Sequence, residues 1–145
     1  MTHPAKLTLA LANSIIQGAL DKGLELALNP LTVAVLDAGG HLVAFARQDT
    51  ASLLRPQIAI GKAASALALG VSSRTVATMA AERPGFIAGL GPIAPHGIIP
   101  AAGGLLIQGA EGAVIGAVGV TGDTSDQDEL CALHGLSLAG LKAVN

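Results

Sequence analysis

The stretch 31-LTVAVLDAGGHLVAFARQD-49 decides the fold, because it predicts two antiparallel strands joined by a tight turn. Its first part, LTVAVLD, is a short apolar run typical of a buried strand. The turn AGG follows, and glycine supplies the positive φ that short hairpin turns require. HLVAFARQD then returns beside the first strand. We therefore expect a β-hairpin here.

Helical patterns lie on both sides of this hairpin in the sequence. Apolar residues recur at helical spacing over residues 7–24, with Thr8 as N-cap, and an Asn-Pro pair ends the pattern. Residues 53–70 predict a second helix that ends at Gly70. A third helix over residues 72–90 is disturbed at Pro84, and a Pro/Gly connector runs on to about residue 100. The expected N-caps of these two helices are Ser52 for the second and Ser72 or Ser73 for the third.

A second hairpin and a last helix complete the chain. Residues 103–109 and 113–122 predict two strands joined across the turn AEG, and residues 126–144 predict the closing helix. The element order is αββααββα, without alternating βα units. This order predicts an α+β fold with an antiparallel sheet flanked by helices, in a single domain over residues 1–145.

The composition limits the partners of this protein. Hydrophobic residues make up 51% of the chain and charged residues only 12%, so copies of the same chain are expected to cover apolar surface in a homo-oligomer. The net charge is −2 and the eight basic residues are scattered, which argues against nucleic acid. Residues 84–110 lack charge, but four prolines and many glycines break them, so they cannot form a membrane-spanning helix.

The single cysteine and the N-terminus bear on localisation. One cysteine excludes an internal disulfide and any CxxC motif, which suits a reducing compartment. The N-terminal residues have periodic apolar positions rather than the basic and continuous apolar regions of a signal peptide. We therefore expect a cytoplasmic protein.

Four acidic residues are concentrated in residues 123–129, where the last strand meets the last helix. Acids in a first helical turn are stabilised by the exposed amide dipoles. A capping box formed by Ser125 with Asp128, or by Asp126 with Glu129, explains two of them. An EF-hand is excluded because the required sixth-position glycine is absent.

Glycines beside these acids suggest a cleft. Three of them interrupt the last strand, and the motif AAGG at residues 101–104 adds two more. Glycine lets the backbone approach a ligand or another subunit closely. For each glycine alone, a bulge or turn is the simpler interpretation.

Arg47 and Lys62 are the cations expected to face this cleft. Lys62 has apolar helical neighbours, which makes an unpaired charge there costly. One interpretation is a structural network of ion pairs; the other is a clamp in which Arg47 binds a carboxylate or propionate and Lys62 anchors it or donates a proton. The candidate counter-ions are Asp49, Asp123 and Asp128.

Histidines are the candidate metal ligands. His96 lies in the loop APHGIIP near the predicted cleft, and is the best candidate for haem iron or acid/base chemistry. His41 follows a hairpin turn, where exposure is expected. Cys131 and His134 share a helix face, but such a pair is more often one core and one surface residue than a metal site.

The motifs VAVLDAGGHLVAFARQD, GKAASA, PAAGG and VIGAVGVTGDTSDQDE, in this order, resemble the GlcG/HbpS-like family of small haem-binding proteins, which includes the C-terminal domain of PduO-type proteins. The resemblance implies a five-stranded antiparallel sheet similar to profilin or Roadblock folds, and dimers that build larger rings or octamers. The fifth strand would come from the connector around residues 98–99. By motif, the pocket residues are Arg47, Asp49, Lys62, Gly104, Gly122, Asp123 and Asp128.

Two function classes follow. The first is an oligomeric module that binds haem or another planar anionic tetrapyrrole, with Arg47 and Lys62 facing the propionates and His96 as axial ligand. The second is a cofactor-free isomerase, hydratase or lyase for a small oxyacid of glycolate or aromatic-acid catabolism. In that enzyme Arg47 would hold the substrate carboxylate, and Lys62 or Asp128 would move the proton.

Overall fold

A computed structural model describes residues 3–144 and shows one five-stranded antiparallel sheet with the strand order β2-β1-β4-β3-β5. Two short 3₁₀ turns lie at Gly91–Ile93 and Ala110–Gly112. Among residues 3–144, no helix combines the length and the apolar character needed to cross a membrane. The elements in chain order are α1 (Leu9–Glu25), β1 (Thr32–Asp37), β2 (Leu42–Arg47), α2 (Arg55–Leu69), α3 (Ser73–Glu82), α4 (Pro84–Leu90), β3 (Gly104–Gln108), β4 (Val114–Thr121), α5 (Ser125–Leu138) and β5 (Lys142–Ala143).

Helices cover both faces of this sheet. Helices α1 and α5 pack against each other and against the face that carries Val33 and Val35 of β1. Helix α2 covers the opposite face, where Ala63 and Ala66 contact Leu36 of β1. Successive strand residues point to opposite faces, and both faces of β1 are buried, which explains why its sequence is apolar throughout.

Both predicted hairpins are confirmed. Strands β1 and β2 pair antiparallel across the glycine turn, and β3 pairs with β4. The Thr8 hydroxyl caps α1 by accepting a hydrogen bond from the Leu11 amide, and the αL residue Gly70 ends α2 as expected. Pro84 separates α3 from α4.

Two predicted N-caps are wrong. Helix α2 begins only at Arg55 and has no side-chain cap, because the Ser52 hydroxyl instead accepts a hydrogen bond from Arg55 Nε at 3.2 Å. Helix α5 is capped by Thr124, which accepts from the Gln127 amide, rather than by Ser125 or Asp126. The Ser72 alternative is confirmed for α3.

The fifth strand does not come from residues 98–99. The Ile99 amide donates to the Ser65 hydroxyl at 2.8 Å, which ties this segment to α2. The predicted last helix instead ends at Leu138, and Gly140, with a φ of +73°, turns the chain so that Leu141 becomes buried. Strand β5 then pairs with β3 at the edge of the sheet.

Candidate functional site

Lys62 and Asp128 form an ion pair inside the protein. The Lys62 Nζ lies 3.1 Å from Asp128 Oδ2 and also donates to the Val120 carbonyl at 3.0 Å. The second carboxylate oxygen of Asp128 accepts the Asp123 amide at 3.0 Å. Lys62 is 2% exposed and Asp128 1%. This pair joins the middle of α2 to the end of β4 and the first turn of α5.

Burial is the largest influence on the acidity of both groups. It lowers the pKa of Lys62 and raises the pKa of Asp128, while the attraction between the two charges opposes both shifts. Removing one partner of such a pair would leave the other charge buried and unpaired, which is strongly destabilising. In this conformation a substrate would reach neither group. The cofactor-free oxyacid enzyme therefore stays a prediction, and the contacts of this ion pair do not support it.

The predicted cleft glycines pack against protein backbone. A Cβ at Gly104 would lie 2.3 Å from the Lys62 carbonyl oxygen, and one at Gly119 would lie 2.0 Å from the Ala59 carbonyl oxygen. Gly122 has a φ of +152°, and a Cβ there would lie 2.3 Å from the Pro30 carbonyl oxygen. These glycines therefore let α2 and the loop before β1 approach the sheet closely, and α2 occupies the space where a ligand was expected.

The other predicted counter-ions do not join Lys62. Asp123 accepts hydrogen bonds from the Asn29 amide at 2.9 Å and the Thr124 amide at 2.8 Å, and these bonds lower its pKa. Asp49 is exposed and lines a shallow cleft beside the end of α1. The Arg47 guanidinium donates to the Ala51 carbonyl. Of the three candidate acids, only Asp128 pairs with Lys62.

His96 lines a separate open cleft of about 440 Å³. Its aliphatic walls come from the C-terminal half of α2 and from Pro95, and the β1–β2 turn closes the other side. The turn also places His41 in this cleft. Two imidazoles from segments 55 positions apart in sequence therefore line one apolar recess.

A carboxylate holds His41 in place. The Asp37 Oδ1 lies 3.2 Å from His41 Nδ1 and accepts the amides of Gly39 at 2.9 Å and His41 at 3.0 Å. These hydrogen bonds, above all that from the His41 amide, lower the pKa of Asp37. With Nδ1 beside the carboxylate, Nε2 is the ring nitrogen that remains available to a metal. The imidazole side chain is 81% exposed, as expected for a turn.

The predicted single site is thus divided between the two ends of β2. His41 precedes the strand and Arg47 ends it, so six residues at about 3.3 Å each separate them by about 20 Å. Sequence reasoning missed His41 as a cleft residue, although the four-residue spacing from Asp37 across a turn was a usable signal. It also missed Arg55, whose Nη1 donates to the Thr121 hydroxyl at 2.7 Å.

No cluster of three or more His, Cys, Asp or Glu side chains within residues 3–144 could hold a metal ion by itself. Cys131 is fully buried, and burial raises the pKa of its thiol to about 11. His134 is partly exposed on the same helix. These positions match the interpretation of this pair as one core and one surface residue.

Comparisons with known proteins agree with the motif resemblance. The model of the family described as "Haem degrading protein HbpS-like" matches residues 7–137. An uncharacterized 15.0 kDa protein from the dhaT-dhaS intergenic region of Citrobacter freundii is 34% identical over 128 residues, which is 88% of each chain.

Solved structures share the fold over nearly the whole chain. Klebsiella pneumoniae protein ORFY has a TM-score of 0.82 and 31% identity, with 92% of this chain and 90% of that chain covered. HbpS has a TM-score of 0.80 and 26% identity, with 95% and 93% covered. The PduOC protein, solved as a complex with haem, has a TM-score of 0.85 at 20% identity, with 97% and 100% covered. The predicted α+β fold is confirmed.

Proposed function

This chain belongs to the HbpS-like family, and on that premise we propose that it binds haem in the cleft lined by His41 and His96. The observation that carries the proposal is that two histidines line one largely aliphatic recess of about 440 Å³, a volume within the range of small-molecule sites. The HbpS-like match and the solved haem complex of PduOC make haem the preferred ligand.

The residues of the cleft fit the chemistry of haem. Ala64, Leu67 and Ala68 of α2 offer an apolar wall against which a planar macrocycle would pack. His41, with Asp37 beside its ring, would be the preferred residue to hold the haem iron, and His96 would supply a second imidazole. When bound, haem supplies a redox-active iron whose potential depends on these ligands and on the polarity around them.

The experiment is a haem titration of the purified protein, followed by the Soret band. We expect saturation at one haem per protomer, and a loss of affinity of tenfold or more with a shifted Soret band in His41→Ala/His96→Ala. The matched control is His3→Ala, which removes an exposed imidazole outside the cleft. Unchanged affinity and spectrum in the double variant, or an equal loss in the control, would refute the assignment.

A homo-oligomer is the second part of the proposal. Large apolar side chains stay exposed at the start of β2 and in the loop before α2: Leu42 is 51% exposed and Leu53 90%. Exposed apolar side chains of this size favour an interface between copies of the chain. Native mass spectrometry of the purified protein tests it, and a monomer at micromolar concentration would contradict it.

A further inference from the structure

A row of polar residues crosses three strands at the end of the sheet opposite the haem cleft. Thr32 of β1 lies in register with Arg47 of β2 on one side and with Thr121 of β4 on the other. Residues in register across a sheet share a face. Both threonines are fully buried, and Arg55 at the start of α2 donates to the Thr121 hydroxyl. Arg47 and Arg55 therefore both lie at the row formed by Thr32 and Thr121.

The two guanidinium groups are anchored on consecutive residues. Arg47 donates to the Ala51 carbonyl, and Arg55 Nε donates to the Ser52 hydroxyl. Within residues 3–144, no carboxylate forms an ion pair with either arginine. Each guanidinium has five N–H donors, of which Arg47 uses one and Arg55 two in contacts with protein. Most of the donors at this end of α2 thus have no acceptor among the residues that the structure describes.

Three further features lie at the same corner of the molecule, where the end of β2 meets the start of α2. Thr50, in the loop between the arginines, has a φ of +68°, which is unfavourable for a β-branched residue. The N-terminus of the 15-residue helix α2 has no side-chain cap, so its amide dipoles favour an anion. The buried Thr32 hydroxyl oxygen has no hydrogen-bond partner among the described residues. Strained backbone and unsatisfied polar atoms tend to cluster at binding sites.

We propose that Arg47 and Arg55 bind the carboxylate of a small organic acid at this corner. The planar fork of arginine matches a carboxylate in two parallel hydrogen bonds. Phe45 lies two residues before Arg47 on the same face of the sheet, and Leu54 precedes Arg55; both are exposed. An apolar body beside the carboxylate would pack on them, which favours an organic acid over inorganic phosphate. This site is separate from the haem cleft and does not depend on it.

The test uses benzoate and inorganic phosphate as probes of the full-length protein. Titrations are followed by the NMR signals of the arginine Nε–H groups. We expect benzoate to shift the Arg47 and Arg55 signals saturably, and to bind at least tenfold more tightly than phosphate. Arg55→Lys, which keeps the charge but loses the fork, and Arg47→Gln should each weaken benzoate binding at least tenfold. Arg47 is exposed, so its variant remains informative if Arg55→Lys fails to fold.

The matched control is Arg83→Gln, because Arg83 stacks on Phe86 away from this corner. It should bind benzoate like the unmodified protein. Linear shifts without saturation, preference for phosphate, or an equal loss in Arg83→Gln would overturn the proposal. So would Arg47 and Arg55 signals that change on dilution without benzoate, since the acceptor would then be a carboxylate of a second copy of the chain.

Discussion

The buried ion pair of Lys62 and Asp128 gives a sharp test of how unpaired charges affect the stability of the interior. Asp128→Asn removes the negative charge but keeps an oxygen that can accept the Asp123 amide. Lys62→Met removes the positive charge and keeps most of the side-chain volume. Because Lys62 is 2% exposed and Asp128 1%, each variant leaves the other charge in the interior without its partner. We expect each to lower the free energy of unfolding by about 3–5 kcal/mol at neutral pH.

The loss of unfolding free energy should shrink with rising pH in Asp128→Asn and grow with rising pH in Lys62→Met. In Asp128→Asn, burial keeps the folded-state pKa of Lys62 below its ordinary value, so the unfolded chain binds more protons. The stability of this variant then rises with pH between that lowered pKa and the ordinary value, by at most about 1.4 kcal/mol per pH unit.

In Lys62→Met, the pKa of Asp128 is raised, so the folded state binds the extra proton. The variant should be nearest to the unmodified protein in acid, and its deficit should grow as the pH rises through the raised pKa.

Denaturant unfolding at several pH values between 4.5 and 9.5 measures these free energies. Replacing both residues by apolar ones should recover much of the loss, because no unpaired charge remains. Asp126→Asn is the matched control: its carboxylate pairs with Arg74 at the surface and is 81% exposed, so the loss should be much smaller and should not grow with pH in this way. Deficits that are small, or that are the same at all pH values, would refute the argument.

Packing and capping give two further predictions. Gly104→Ala should destabilise the fold by about 1–3 kcal/mol or more, because its Cβ would lie 2.3 Å from a backbone carbonyl oxygen of α2. Gly89→Ala, in a helix with open space around it, should stabilise by up to about 1 kcal/mol, and comparable thermal melts for the two would contradict this view. Thr124→Ala should cost about 1 kcal/mol of unfolding free energy, because it removes the cap of α5. Ser125→Ala should stay within about 0.5 kcal/mol, and a larger loss there than in Thr124→Ala would restore the cap predicted from sequence.

Local patterns in the sequence determined most of the secondary structure. The apolar run and glycine turn of residues 31–49 specify a hairpin without reference to the rest of the chain, and β1 and β2 lie there. Helical periodicity and the polar side chain of Thr8 similarly locate the start of α1. These signals succeed because strand alternation, helix periodicity and caps depend on residues close together in sequence. The buried position of Lys62 among apolar neighbours also requires a counter-ion on local grounds alone.

Only the tertiary structure decided which distant residues meet. Three acids were equally good partners for Lys62 by sequence, and the approach of α5 to the end of β4 selected Asp128. The glycines that suggested a ligand cleft instead allow α2 to pack closely on the sheet. Sequence alone does not show whether a ligand or a helix fills the space beside a glycine-rich strand. That His41 and His96 line one cleft, and that Arg47 and Arg55 lie at one end of the sheet, likewise depends on how α2 packs on the sheet. Packing geometry of this kind is set by contacts between segments far apart in the chain, which local sequence patterns do not encode.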